Sequence, residues 1–232
     1  MPPRALEPAG VALVDKPAGP SSFAIVAQIR RRTRARTGHA GTLDPFATGL
    51  LLLLSGRATR IASSLVGLDK RYVTHIDLTA RTATGDPEGD VVETLEPPAV
   101  DELERRLASL RGEIELPIPA ASAVKIDGER AYRLARRGVE VEMPLRRSTV
   151  HALDVIAYTG ESVTLDLSVT SGTYIRAIAH ALGGHCRTLR RTEVGPFSVT
   201  DAVTPDAFEP RCLLPEAEVL ARVERTRDGA DR

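Results

Sequence analysis

Residues 38–49, Gly-His-Ala-Gly-Thr-Leu-Asp-Pro-Phe-Ala-Thr-Gly, restrict the backbone more than any other stretch of this chain. Gly38, Gly41 and Gly49 admit backbone angles that side-chain-bearing residues resist. Pro45 turns Asp44 away from the helical region and toward an extended conformation. One carboxylate is thereby set in a short, stiff loop of small residues. Such a loop can present an acid to a bound molecule and let that molecule approach the backbone closely. The simpler reading of the same residues is an Asp-Pro turn between two regular elements.

The flanking sequence mixes helical and strand periodicities without a repeating βαβ order, which predicts an α+β fold. Ser21 or Ser22 can cap a helix that carries Ile25, Val26 and Ile29 on one face and runs into an arginine cluster. Leu50–Leu54 is a buried strand or short helix, and residues 58–66 read as a short helix stopped by Gly67. Residues 71–79 alternate as a strand with Tyr72, Thr74, Ile76 and Leu78 on one side, and residues 163–170 alternate in the same way. Asp101 is expected to cap a helix over 101–110, and Thr173 another over 173–182 with Arg176 in its first turn, off the apolar stripe. Residues 113–148, with three prolines, read as an excursion from the core containing a short helix over 131–137. Residues 1–9 look frayed.

At 232 residues the chain is long enough for a core that needs no disulfide or metal. No apolar run approaches the ~20 residues of a membrane span, and no signal-peptide pattern opens the chain, so a cytoplasmic location is expected. Cys186 and Cys212 have no metal-binding spacing and are expected to be reduced. The 31 basic and 31 acidic side chains balance, but the basic ones are grouped. Only Lys16, Lys70 and Lys125 are lysines; arginines cluster at 30–36, at Arg133, Arg136 and Arg137, at Arg146 and Arg147, and at Arg187, Arg190 and Arg191. A coding bias toward arginine explains the ratio, whereas phosphate contact explains the grouping.

The 38–49 stretch resembles the catalytic motif of the TruB-type tRNA pseudouridine synthases. Further motifs of that family follow in the same order: Asp15-Lys16-Pro17 with Ser21-Ser22, Lys70-Arg71-Tyr72, Thr82 to Gly89, Gly172-Thr173-Tyr174-Ile175-Arg176, and Leu189-Arg190-Arg191-Thr192. The resemblance runs from about residue 10 to about 200. It implies the pseudouridine synthase fold, a mixed and mostly antiparallel sheet with flanking helices and a central cleft, in a catalytic domain over residues 1–200. It also implies isomerisation of a uridine at position 55 in the T loop of tRNA. That reaction needs no redox step and no group donor, so no cofactor or metal is expected, and the protein is expected to act on the T arm as a monomer.

Within that resemblance Asp44 is the catalytic carboxylate, Arg176 the cation that keeps it ionised, and Tyr72 the ring that stacks on the target base near C5. His39 matches the residue that stacks inside the disrupted RNA loop. Lys16 either braces the Asp44 loop or meets backbone phosphate; Tyr174, Arg30, Arg31, Arg190 and Arg191 are expected to touch RNA. Asp86 is expected to fix a turn by accepting backbone amides. The family pattern weakens over 112–125, where Leu116, Ile118 and Ala121 replace expected residues while Pro119, Ser122, Ala123 and Lys125 remain, followed by Gly128 and Tyr132. Residues 201–232 are expected to form a linking helix and a charged tail rather than a complete PUA domain. Two other functions stay open at this point: a non-catalytic tRNA-binding or tRNA-folding module on the same scaffold, and a nucleoside hydrolase using the same acid.

Overall fold

The computed structural model describes residues 8–230 apart from positions 123, 127, 138 and 140. Residues 1–7, Ala123, the side chains of Tyr132 and Arg136, and the last two residues of the charged tail lie outside the described set. In chain order the elements are β1 (Gly10–Lys16), α1 (Ser22–Thr33), β2 (Thr37–Ala40), β3 (Thr48–Ser55), α2 (Ala62–Val66) and β4 (Lys70–Asp77). There follow β5 (Ala80–Thr82), β6 (Val91–Thr94), α3 (Val100–Ser109), β7 (Gly112–Pro117), β8 (Lys125–Ile126), β9 (Glu129–Arg130) and α4 (Ala131–Arg136). The last are β10 (Leu145–Tyr158), β11 (Ser162–Val169), α5 (Ile175–Ala181), β12 (His185–Val194), β13 (Phe197–Ser198) and α6 (Glu216–Ala230). No helix of the described residues is long and apolar enough to cross a membrane.

The chain divides into two compact units, one holding the residues up to Tyr72 and from Arg190 onward, the other Val73–Leu189. In the first unit β3 is central. It pairs antiparallel with β1 from Gly49 to Ser55, antiparallel with β2 from Leu52 to Ser55, and parallel with β12 at Thr48 and Gly49. β3 is a strand buried on both faces, so its five leucines show no alternation. Leu50, Leu52 and Leu54 pack with Ala58, Ile61, Leu65, Phe197, Val219 and Val223. Val219 and Val223 belong to α6, so the segment expected to be a linker is part of this core.

Helix α1 begins as the periodicity requires. Ser21 is its N-cap and accepts the Ala24 amide at 3.2 Å, while Ile25, Val26 and Ile29 face inward. The helix ends at Arg34, whose left-handed backbone (φ 52°) closes the last turn.

In the second unit β4, β11, β10 and β7 lie in that order, with β10 antiparallel to both β11 and β7. The alternation of residues 163–170 is realised in β11, where Val163, Leu165, Leu167 and Val169 are fully buried. β7 and the start of β10 pair from Gly112 to Pro117, so the ends of the expected 113–148 excursion belong to the sheet. Only what lies between them departs from it.

Two helix caps differ from expectation. Ala99, not Asp101, is the N-cap of α3, and Asp101 sits in the first turn without a capping bond. Tyr174, not Thr173, caps α5, because the Thr173 hydroxyl donates back to the Thr170 carbonyl at 2.8 Å.

Candidate active site

The loop between β2 and β3 carries Asp44, and its backbone is gripped from three directions. Lys16 is fully buried, and its ammonium donates to the carbonyls of Pro17 (2.9 Å), Pro45 (3.0 Å) and Ala47 (2.7 Å). Three protons meeting three carbonyl oxygens make the burial of this charge tolerable. Ser22 binds Leu43 twice, donating to its carbonyl at 2.8 Å and accepting its amide at 2.9 Å. Arg191, 1% exposed, donates to the Gly41 carbonyl at 3.1 Å and the Leu50 carbonyl at 2.7 Å. The Gly19 amide donates to Pro45 at 2.9 Å. Leu43 and Ala47 are buried plugs on either side of Asp44, which itself is half-buried.

Two glycines make this packing possible. Gly41 has φ 91°, in the region that disfavours side chains. A Cβ on Gly49 would lie 2.2 Å from the Arg191 carbonyl oxygen, so β12 approaches β3 here only because no side chain intervenes.

His39 stands in strand β2, not in the loop proper. Its ring is half-buried, with Nδ1 out of solvent and without a hydrogen-bond partner among the described residues. Burial, and to a smaller degree the positive charge of Arg191, hold its pKa below the ordinary histidine value, so the ring is neutral at pH 7. The Phe23 ring meets it edge to face at a centroid distance of 5.3 Å and an interplanar angle of 81°.

Arg176 belongs to the second unit. It is buried, which corrects the expectation of an arginine turned away from the apolar face of α5. Its guanidinium donates to the carbonyls of Thr84 (2.7 Å) and Ala121 (3.0 Å) and pairs with Asp86 Oδ2 at 3.6 Å, both side chains nearly inaccessible to solvent. Asp86 also accepts from the Thr84 hydroxyl at 2.5 Å and the Glu88 amide at 3.0 Å. It holds its turn as expected, and in addition supplies a carboxylate to Arg176, which the sequence did not disclose. Arg176 lies in the wall of a mostly apolar cavity of about 400 Å³ that includes Gly85, Ile118, Pro119 and Met143. Tyr72 is buried on β4 beside Thr74 and Ile76, as its alternation predicts. Tyr174 is half-buried beside Leu116, Pro117 and Arg146.

The residues expected to touch RNA separate into two groups. Arg30 and Arg31 are exposed near the end of α1. Arg190 keeps 41% of its side chain exposed and forms a two-pronged pair with Asp15, at 3.0 and 2.8 Å. Lys16 and Arg191 are corrections: both are enclosed and bound to main-chain carbonyls, so of the two roles weighed for Lys16, bracing the loop is the one its surroundings support. The sequence also concealed Ser22 and Asp15 as partners in this assembly, although both sit in the amino-terminal motif.

A family model described as TruB family pseudouridylate synthase (N terminal domain) matches residues 30–175. The chain is 44% identical to tRNA pseudouridine synthase B of Corynebacterium aurimucosum, covering 94% of this chain and 78% of that protein. It is 40% identical to the protein of the same name from Bordetella avium, covering 91% of each. Among solved structures, it superposes on a chain of a Cbf5-Nop10-Gar1 complex with a TM-score of 0.69 and 28% identity, over 92% of this chain and 62% of that one. A crystal structure of a pseudouridylate synthase matches in fold, with a TM-score of 0.51 at 14% identity, over 94% of this chain and 76% of that one.

Proposed function

The chain belongs to the TruB family of pseudouridylate synthases, and we infer that it isomerises uridine to pseudouridine in tRNA, at position 55 of the T loop. The observation that carries this reading is the Asp44 loop. Lys16, Ser22 and Arg191 fix the main chain on both sides of one half-buried acid, and a site whose task is to meet a sugar carbon benefits from such positioning. A module that only bound tRNA would gain nothing from a carboxylate held toward polyanionic RNA.

The reaction breaks the bond between C1′ of ribose and N1 of uracil, turns the base, and joins C5 to C1′. A proton leaves C5 and one is gained at N1, so the product is an isomer and no group donor or redox partner enters the balance. Asp44 is the group assigned to the nucleoside, Arg176 the cation that supports the ionised acid, and Tyr72 the ring against the base and the route for the C5 proton. The uridine has to leave the stack of a folded loop, which costs a few kcal/mol. His39 supports the opened RNA. Arg30, Arg31 and Arg190 supply cations for the phosphates, and the protein acts in the cytoplasm as a monomer on the T arm.

The test uses an unmodified T-arm RNA hairpin. Carbodiimide labelling followed by reverse transcription is expected to reveal one new pseudouridine with the wild-type protein and none with Asp44→Asn, while gel-shift binding persists in that variant. Tight binding of the hairpin by the wild type without conversion would select the binding-module reading instead.

A further inference from the structure

Phe23 is assigned no role by the chemistry above, yet its placement is unusually constrained. It occupies the first turn of α1 and is 73% exposed. Its neighbours tie it to the Asp44 loop: Ser21 caps the helix, and Ser22 is hydrogen-bonded to both main-chain groups of Leu43, the residue before Asp44. Its ring is held edge to face with His39.

The rest of the exposed face of α1 indicates what the ring meets. At 100° per residue, Ser22, Ile25, Val26, Ile29 and Thr33 form the buried stripe; Arg30 and Phe23 follow at its edge, about 20° apart, and Ala27 and Arg31 continue round toward the opposite side. Arg32, on the flank, is drawn down to the carbonyls of Asp206 and Phe208 at 2.7 and 2.6 Å. One helix face thus bears an aromatic ring at its start and two exposed guanidinium groups seven and eight positions later, roughly 10–12 Å along the axis. Rings take base faces and guanidinium groups take phosphates. An apolar protein partner would not call for the two cations, and a simple phosphate site would not call for the ring.

We propose that Phe23 contacts the substrate directly, stacking on an unpaired base of the RNA loop other than the target uridine, with His39 fixing the ring at the entrance to the Asp44 loop. This rests on the RNA substrate inferred above. It makes Phe23 a determinant of how the loop is held open, and not a participant in bond making.

The chain contains no tryptophan, so Phe23→Trp introduces a single fluorophore at the site. Its emission is expected to fall when T-arm RNA saturates the protein, and this variant should keep more of the wild-type kcat/KM than Phe23→Ala. Phe23→Ala is expected to lose about 5- to 150-fold in kcat/KM, mostly through KM, the range that corresponds to one base–aromatic stack. Phe23→Leu should resemble Ala rather than Trp, and melting curves should show all three folded. The loss in Phe23→Ala should shrink on an RNA bearing an abasic site at the stacked position, and should shrink without vanishing in a His39→Ala background, where the ring keeps its place on the helix but loses its support. Unchanged tryptophan emission at saturation, a kcat/KM for Phe23→Ala within twofold of wild type, or disappearance of the Phe23 effect in His39→Ala would each overturn the proposal. Failure of the wild type to convert uridine would instead strike the functional reading, since the fluorescence change needs only binding.

Discussion

Ser22 and Leu43 exchange two hydrogen bonds, 2.8 Å and 2.9 Å long, and the pair joins the start of helix α1 to the residue preceding Asp44. A hydroxyl that both donates and accepts satisfies the whole main-chain polarity of one buried residue. Through this link the helix that carries Phe23 and the loop that carries the acid form one piece.

Removing that link should loosen the acid more than the fold. Ser22→Ala leaves an amide and a carbonyl buried without partners, at about 1–3 kcal/mol each. Denaturant unfolding is expected to show a loss of about 2–6 kcal/mol for the two groups together, and single-turnover conversion of T-arm RNA a lower rate with little change in binding. A variant slowed in neither respect would mean that the loop holds its shape without Ser22.

Lys16 separates a bracing role from a phosphate-binding role. Lys16→Met keeps the apolar stem and deprives the Ala47 and Pro17 carbonyls of their donor, so a loss of about 1–3 kcal/mol in stability is expected. The slope of log Kd against log salt for T-arm RNA should not change. Were the ammonium to neutralise a phosphate, that slope would flatten by about one.

Asp86 and Arg176 offer a comparable contrast. Asp86→Asn retains an oxygen for the Thr84 hydroxyl and the Glu88 amide but removes the charge opposite Arg176. If Asp86 served only its turn, the substitution would be nearly silent. The buried ion pair predicts a stability loss of about 3 kcal/mol, together with a fall in kcat because the guanidinium loses an anchor. Chemical denaturation and steady-state kinetics on the same preparation check both.

Lys70 gives a pH signature. Its ammonium donates to the carbonyls of Val66 and Leu68, and its pKa falls to about 8, chiefly through burial and further through the charge of Arg191. Folded chains therefore release this proton at a lower pH than unfolded chains, whose lysine titrates near its ordinary 10.5. Between about pH 8 and 10.5 the unfolded state binds more protons, so this residue makes stability rise with pH across that window. Thermal melts should show Lys70→Met lacking that rise relative to wild type. Parallel pH profiles for the two proteins would contradict the assignment.

Much of the architecture follows from patterns that physics ties to local geometry. The alternation in β4 and β11, the run of leucines in β3 and the Ser21 cap each report the environment of a single element. Arg191 and Lys16 escape such reasoning because a charged side chain is by default placed on the surface, and only carbonyls contributed by distant residues make burial favourable. The partnership of Asp86 with Arg176 spans 90 positions and has no local signal. The cap of α5 fails for a related reason: Thr173 had a choice of main-chain partners, and the carbonyl of Thr170 wins over the helix amides.

Adjacent arginines in one strand provide the sharpest discrimination. Arg190 is paired with Asp15 at the surface, and Arg191 is enclosed against Gly41 and Leu50. Exposed ion pairs contribute about 0–1 kcal/mol, so Arg190→Ala should melt close to wild type while weakening RNA binding and flattening its salt dependence by about one. Arg191→Ala strips buried carbonyls of their donor and opens a cavity where β12 meets the Asp44 loop, and should cost about 3 kcal/mol or more. Lysine should not restore Arg191, because one ammonium cannot span the Gly41 and Leu50 oxygens that the planar fork reaches together. Two melting curves and two salt titrations distinguish the residues. If both variants lost only RNA affinity, the enclosed position of Arg191 would not govern its role.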